Sequence, residues 1–171
     1  MNLSPHTCGG FFMARNLVLL WRKLNFITMI KSVHSYWAYL VLFVLLLAVF
    51  KAILGVILKK EYDPKTFRVA LFTLIVSHIQ LLIGLVLYFT SSRFSLWADL
   101  GVGEVMKTAV HRLYLVEHPT INILAVALIT IGYSKHKKKR LSAPKFKTLA
   151  IFYTIALLLI LSRIPWDVWP N

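Results

Sequence analysis

The sequence is short of cysteine and of acid. Cys8 is the single cysteine, so neither an intrachain disulfide nor a cysteine-held cluster can form. No C-x-x-C-H run offers covalent haem attachment. Six acidic residues among 171 leave little room for carboxylate chemistry. A phosphate loop, a G-x-S-x-G elbow, an H-E-x-x-H pair and a dinucleotide fingerprint are all missing, which removes the common soluble-enzyme classes. Charge of any kind is scarce: 15% of residues, where an ordinary soluble domain carries about 25%.

Apolar residues are abundant instead, at 58% of the chain with a mean hydropathy of +0.72. A soluble fold of this size cannot hide so much apolar surface, and a bilayer supplies the missing solvent. Four apolar segments stand out, at about 36–58, 69–89, 113–133 and 149–164. Each is near the roughly 20 residues needed to cross hydrocarbon. Only helices can do this here, since a barrel needs many alternating strands. Tyr36, Trp37, Tyr88, Phe89, Tyr133, Trp166 and Trp169 fall where interfacial aromatic belts belong. The expected fold class is all-α: an integral membrane four-helix bundle with antiparallel neighbours.

The formal net charge is +14, yet the charges sit between apolar runs, which is the pattern of membrane orientation and not of a nucleic-acid-reading face. The loop at 59–68 carries Lys59, Lys60, Lys65 and Arg68. The loop at 134–148 carries Lys135, Lys137, Lys138, Lys139, Arg140, Lys145 and Lys147. Fewer basic residues, Arg93, Lys107, Arg112 and Arg163, lie on the other side. Loops 59–68 and 134–148 are therefore expected in the cytoplasm, with both termini outside. The outer connection, about 90–112, holds a Gly101-Val102-Gly103 break and is expected to form a short interfacial helix.

Residues 1–33 are basic and contain no acid. Leu17 to Leu20 is apolar, but Arg22 and Lys23 interrupt it too soon for a span. This extension reads as an interfacial amphipathic helix or a poor signal sequence. With the N-terminus outside, Arg15, Arg22, Lys23 and Lys31 would all be translocated. A start at Met29 leaves only Lys31, so Met29 is the alternative beginning of the chain. The transmembrane domain is taken as 34–171.

Ionisable side chains inside a membrane are expensive, so each is a functional candidate. At about 1.5 Å of rise per residue, His34 lies at the outer surface, His118 roughly 8 Å deep and His78 roughly 15 Å deep. Neutral imidazole is the commonest metal ligand. Two histidines on facing helices can hold a haem iron axially in a bundle core. Haem propionates need a cation near the surface, and Arg112 is placed for it. Pro119 removes a backbone donor beside His118. His111, Leu115, His118 and Asn122 share one face.

Plainer readings stand beside these. A lone membrane histidine such as His78 can simply hydrogen-bond across helices, and Gln80 and Ser77 are ordinary interhelical glue. His111 and His136 read as solvated, His136 within the basic loop. Glu117 can bridge to Arg112, and Lys51 can snorkel toward the cytoplasmic surface.

Several stretches together resemble a family of small four-helix bacterial membrane proteins commonly labelled "cytochrome B". They are His34-Ser35-Tyr36-Trp37, His78-Ile79-Gln80-Leu81-Leu82-Ile83-Gly84-Leu85, and Arg112-Leu113-Tyr114-Leu115-Val116-Glu117-His118-Pro119. Gly132-Tyr133-Ser134-Lys135 and Ser162-Arg163-Ile164-Pro165-Trp166 complete the set, which covers about residues 29–166. The resemblance implies a b-type haem protein of the bacterial inner membrane and points to His34, His78 and His118.

The sequence expectation is thus one haem b in the outer half of the bundle. His34, His78 and His118 are the candidate ligands, with His118 foremost and its partner open. Arg112 would steady propionates and Glu117 would tune a histidine by a hydrogen bond. The expected function is one-electron transfer with a quinone or a partner redox complex, as a carrier or subunit more than a free-standing enzyme. The alternatives are a cofactor-free accessory or assembly subunit, and an outward-facing copper or zinc site of His34, His111 and His118.

Overall fold

The structure is a computed structural model that describes the backbone of residues 6–169 and the side chains of residues 15–169. Among the described residues it is all helical. Four helices are long and apolar enough to cross a membrane: α1 (His6–Ile57), α2 (Pro64–Thr90), α6 (His118–Lys137) with the turns that lead into it, and α7 (Ser142–Ser162). Between α2 and α6 the chain makes a 3₁₀ turn (Ser92–Ser95) and three short helices, α3 (Leu96–Asp99), α4 (Gly101–Lys107) and α5 (Ala109–Arg112). The break expected at Gly101 is real: Gly101 has φ +75°, the left-handed region that glycine enters freely, and it separates α3 from α4.

Helix α1 runs through residue 33 without interruption. Its 52 residues span roughly 78 Å, more than twice a hydrocarbon core of about 30 Å. Its stretch from residue 15 to 29 is mostly exposed, and among the described residues burial begins at Ile30. Just beyond the end of the helix, Lys59 turns the chain with a φ of +48°. The Lys59 N–H then reaches the Val56 carbonyl at 3.4 Å and the Lys60 N–H the Gly55 carbonyl at 3.1 Å, closing the two exposed carbonyls of the last turn. Helix α2 begins at Pro64. Asp63 caps it, accepting the Thr66 N–H at 2.9 Å, and Pro64 takes the first helical position, where a missing N–H costs nothing. Hydrogen bonds from Thr66, hydroxyl first and then N–H, with the Lys51 ammonium adding its charge, hold the Asp63 carboxyl below its ordinary range.

The long helices pack in a ring: α1 touches α2 and α7, and α6 touches α2 and α7. Helices α1 and α6 therefore face each other across a diagonal. Small residues let backbones approach, as membrane interfaces require. Ala48, Ala52, Ala70, Ala125 and Ala156 are buried with Leu45, Ile129, Leu149 and Tyr153 in one cluster. The Tyr153 hydroxyl donates to the Ala70 carbonyl at 3.1 Å, so even this buried polar atom ties α7 to α2. Many large apolar side chains point outward, Phe43, Phe50, Leu82 and Leu158 among them. Water would penalise that surface, whereas lipid chains solvate it. The structure fits an integral membrane four-helix bundle.

His136 is not where the sequence reading puts it. It is 1% exposed, enclosed by the rings of Tyr62, Phe67 and Tyr133 at centroid distances of 5.7, 6.0 and 5.0 Å. The reason is helix length. Helix α6 continues a turn beyond the apolar segment, to Lys137, and His136 follows Ile129 and Tyr133 on the buried stripe at spacings of four and three. The connection to α7 shrinks to four residues, Lys138 to Leu141, not the fifteen-residue loop the charges suggest.

Candidate functional site

At the end of the bundle opposite the two lysine-rich loops, all four long helices contribute polar groups to one place. The chain geometry before α6 prepares it. Residues Leu113–Glu117 form a π-turn, in which the His118 N–H reaches back to the Leu113 carbonyl. Such single wide turns insert a residue, rotate the helix beyond them, and cluster at functional sites. One residue on, Pro119 has no N–H, so the Leu115 carbonyl loses the donor an α-helix would supply. The Tyr88 hydroxyl of α2 takes that role at 3.1 Å, and the Trp97 indole of α3 donates to Tyr88 Oη at 3.1 Å. Helix α2 and the connection between α2 and α6 thus clamp the turn that aims His118.

His118 of α6 and His34 of α1 meet across the bundle diagonal. Their ring centroids are 6.2 Å apart and the rings are steeply inclined, at 69°. His118 Nδ1 lies 2.7 Å from the Arg163 carbonyl at the end of α7. A carbonyl only accepts, so Nδ1 carries the proton and the lone pair sits on Nε2, the tautomer a metal ligand needs. Asn122 Nδ2 is 3.4 Å from the same ring nitrogen, but its donated bond goes to the His118 carbonyl at 2.7 Å. The shorter contact to Arg163 therefore decides the tautomer.

His34 is held by α2. Gln80 Nε2 donates to the His34 carbonyl at 3.0 Å and lies 3.5 Å from His34 Nε2. Gly84, one turn further, makes room for the ring: a Cβ there would stand 3.1 Å from His34 Cε1. His34 Nδ1 and Gln80 Oε1 are buried with no hydrogen-bond partner. Orphaned buried polar atoms are rare, and each is a place where a ligand or water gains a bond.

An ion triad closes the rim at this end of the bundle. Glu117 pairs with Arg112 at 2.8 Å and with Arg163 at 3.3 Å, and Arg112 also donates to the Met106 carbonyl at 2.8 Å. All three side chains are at least a quarter exposed, so each pair contributes about 1 kcal/mol or less. The Glu117 carboxylate goes to the two arginines and not to a histidine ring. Two positive charges facing one negative leave the rim net positive.

His78 stands apart. Its Nδ1 donates to the Leu74 carbonyl at 2.8 Å, and its Nε2 lies 3.4 Å from Thr130 Oγ1. Thr130 is twelve residues after His118 on the same helix, roughly 18 Å along the axis, so His78 and His118 cannot share one ion in this arrangement. His111 also stays separate, with Nδ1 buried and unpartnered. Among the described residues, no three of His, Cys, Asp and Glu converge as a metal site, so the three-histidine copper or zinc reading has no cluster to rest on.

The chain was compared with protein-family models, curated proteins and solved structures. None matches. The architecture is that of a four-helix membrane bundle in general.

Arg163 and the π-turn escape sequence reading. Arg163 fixes the His118 ring through its backbone carbonyl, which carries no residue-type signal, while its side chain pairs with Glu117. Gln80 was partly visible: Val76, Gln80 and Gly84 repeat every fourth position, the spacing of one helix face, and that face meets α1.

Proposed function

We propose that the His34–His118 pair holds one haem b and that the protein is a membrane electron carrier or subunit. The observation that carries this reading is the imidazole pair across the diagonal. Two imidazoles flanking one metal ion at about 2 Å each place their ring centres roughly 6 Å apart, and these stand 6.2 Å apart. The donor set also fits. His118 offers Nε2 with its far nitrogen fixed by a backbone carbonyl, and His34 brings a buried nitrogen without a partner. Gly84 keeps one side of His34 free of a side chain.

Bound there, haem b supplies a one-electron iron couple. The protein's own groups would orient and tune it. The Arg163 carbonyl fixes the His118 ring, Gln80 fixes His34, and the net-positive rim of Arg112 and Arg163 offers charge to propionates. Were His34 and His118 both to hold the haem, it would serve electron transfer to a quinone or a partner redox protein in preference to substrate chemistry.

The contact pairs support an antiparallel arrangement. His34 meets Gly84 while Val44 meets Thr73; Tyr88 meets Leu115 while His78 meets Thr130. On the positive-inside rule the lysine-rich loops are cytoplasmic, which puts both termini and the histidine pair on the outer side of a bacterial inner membrane.

The test is a reduced-minus-oxidised optical spectrum of detergent-purified protein supplied with haem. The reading expects a b-type band that is lost in His34→Ala and in His118→Ala. No band in folded protein would overturn it and leave a cofactor-free accessory or assembly subunit as the replacement.

A further inference from the structure

The basic end of the bundle carries a second candidate site, between α1 and α7. Phe146 of α7 turns inward against the backbone of Gly55, which draws the two helices together on the core side. One turn along α7, Ala150 is too small to fill the outer side. A trough of about 230 Å³ remains, lined by Ile53, Val56, Ile57, Ala150 and Ile151 and bordered by Lys147. Ile53, Val56, Ile57 and Ile151 are exposed, so the trough opens toward the lipid. Its volume falls short of the roughly 300 Å³ of the smallest ordinary ligand pockets. An open, wholly apolar trough suits a stretch of hydrocarbon chain.

The charge at its mouth defines the other half of the occupant. The stretches 59–68 and 134–148, both at this end of the bundle, hold four and seven lysines and arginines, against the two carboxylates Glu61 and Asp63. The structure joins the two loops into one surface: the Tyr62 N–H donates to Ser142 Oγ at 3.0 Å, and the Lys145 ammonium lies over the Tyr62 ring at 5.0 Å. Lys147 links this surface to the trough, with its stem along the apolar wall and its ammonium free to rise to the interface.

We propose that this is a binding site for an anionic phospholipid, with one acyl chain along the α1–α7 trough and its phosphate at Lys147. Clustered lysines beside a membrane surface attract anionic headgroups, and the apolar trough adds a contact that a soluble anion lacks.

The test uses the full chain in nanodiscs of phosphatidylethanolamine, with or without phosphatidylglycerol, followed by native mass spectrometry of retained lipid. Phosphatidylglycerol is expected to be retained in preference to phosphatidylethanolamine. Lys147→Gln should lower that retention about fivefold. Ala150→Phe, which fills the trough and leaves every charge in place, should abolish it. Excess glycerol phosphate should not displace the lipid. Equal retention of the two lipids, an unchanged Lys147→Gln, an unchanged Ala150→Phe, or displacement by glycerol phosphate would each overturn the proposal. Lys147 is exposed, so that variant remains informative if Ala150→Phe fails to fold.

Discussion

Removing the Tyr88 hydroxyl tests how the histidine-bearing turn is held. Leu115 is 4% exposed, and its carbonyl lacks the N–H that residue 119 would supply were it not proline. Tyr88→Phe therefore strands a buried acceptor, which costs about 1–3 kcal/mol. An ordinary hydrogen bond between membrane helices averages about 0.6 kcal/mol, because alternative partners exist. The two cases separate in a double-mutant cycle with Pro119→Ala. That change returns an N–H to residue 119, one turn from the stranded carbonyl, so Tyr88→Phe should then cost only the smaller amount. The bond from Trp97 to Tyr88 is lost in both backgrounds and cancels. Unfolding by titration with dodecyl sulfate in mixed micelles, followed by far-ultraviolet circular dichroism, gives the four stabilities. Equal costs of Tyr88→Phe in the two backgrounds would refute the reasoning.

Three further outcomes are expected. Gly132→Ala places a Cβ 2.6 Å from Phe152 Cβ, too close for the α6–α7 interface, and should cost about 1–3 kcal/mol in the same unfolding assay. Asp63→Ala should cost about 1 kcal/mol at neutral pH through the lost helix cap. Because folding lowers the Asp63 carboxyl's pKa, its contribution is present above the unfolded value near pH 4 and fades as pH falls through the folded value. The stability gap between wild type and Asp63→Ala should therefore close on acidification, and a gap constant down to pH 2 would contradict the capping account. Gly84→Ala presses on the His34 ring at 3.1 Å. It should weaken haem binding more than it lowers stability, as haem titration and unfolding compared side by side would show.

Much of the fold was legible because hydropathy is a strong signal where the solvent is lipid. Each of the four apolar segments lies largely within a long helix. What was not legible is backbone chemistry and helix ends. The apolar run stops at Tyr133, but α6 keeps its register to Lys137, which buries His136 amid a basic stretch that looks solvated. The π-turn before His118 arises from a packing balance that no residue type announces, although Pro119 marks the spot. Depth along the helices placed His34 with His118 on the outer side. Only the ring order of the helices shows that the two sit on a shared diagonal, and that His78 instead lies beside Thr130.

The central claim is that His34 and His118, and not His78, hold one haem. Titrating haem into detergent-purified protein and counting the equivalents retained after gel filtration tests it most directly. The account predicts one haem per chain in the wild type and in His78→Ala, and none in His34→Ala or His118→Ala. Retention by His34→Ala or His118→Ala, or loss in folded His78→Ala, would contradict it.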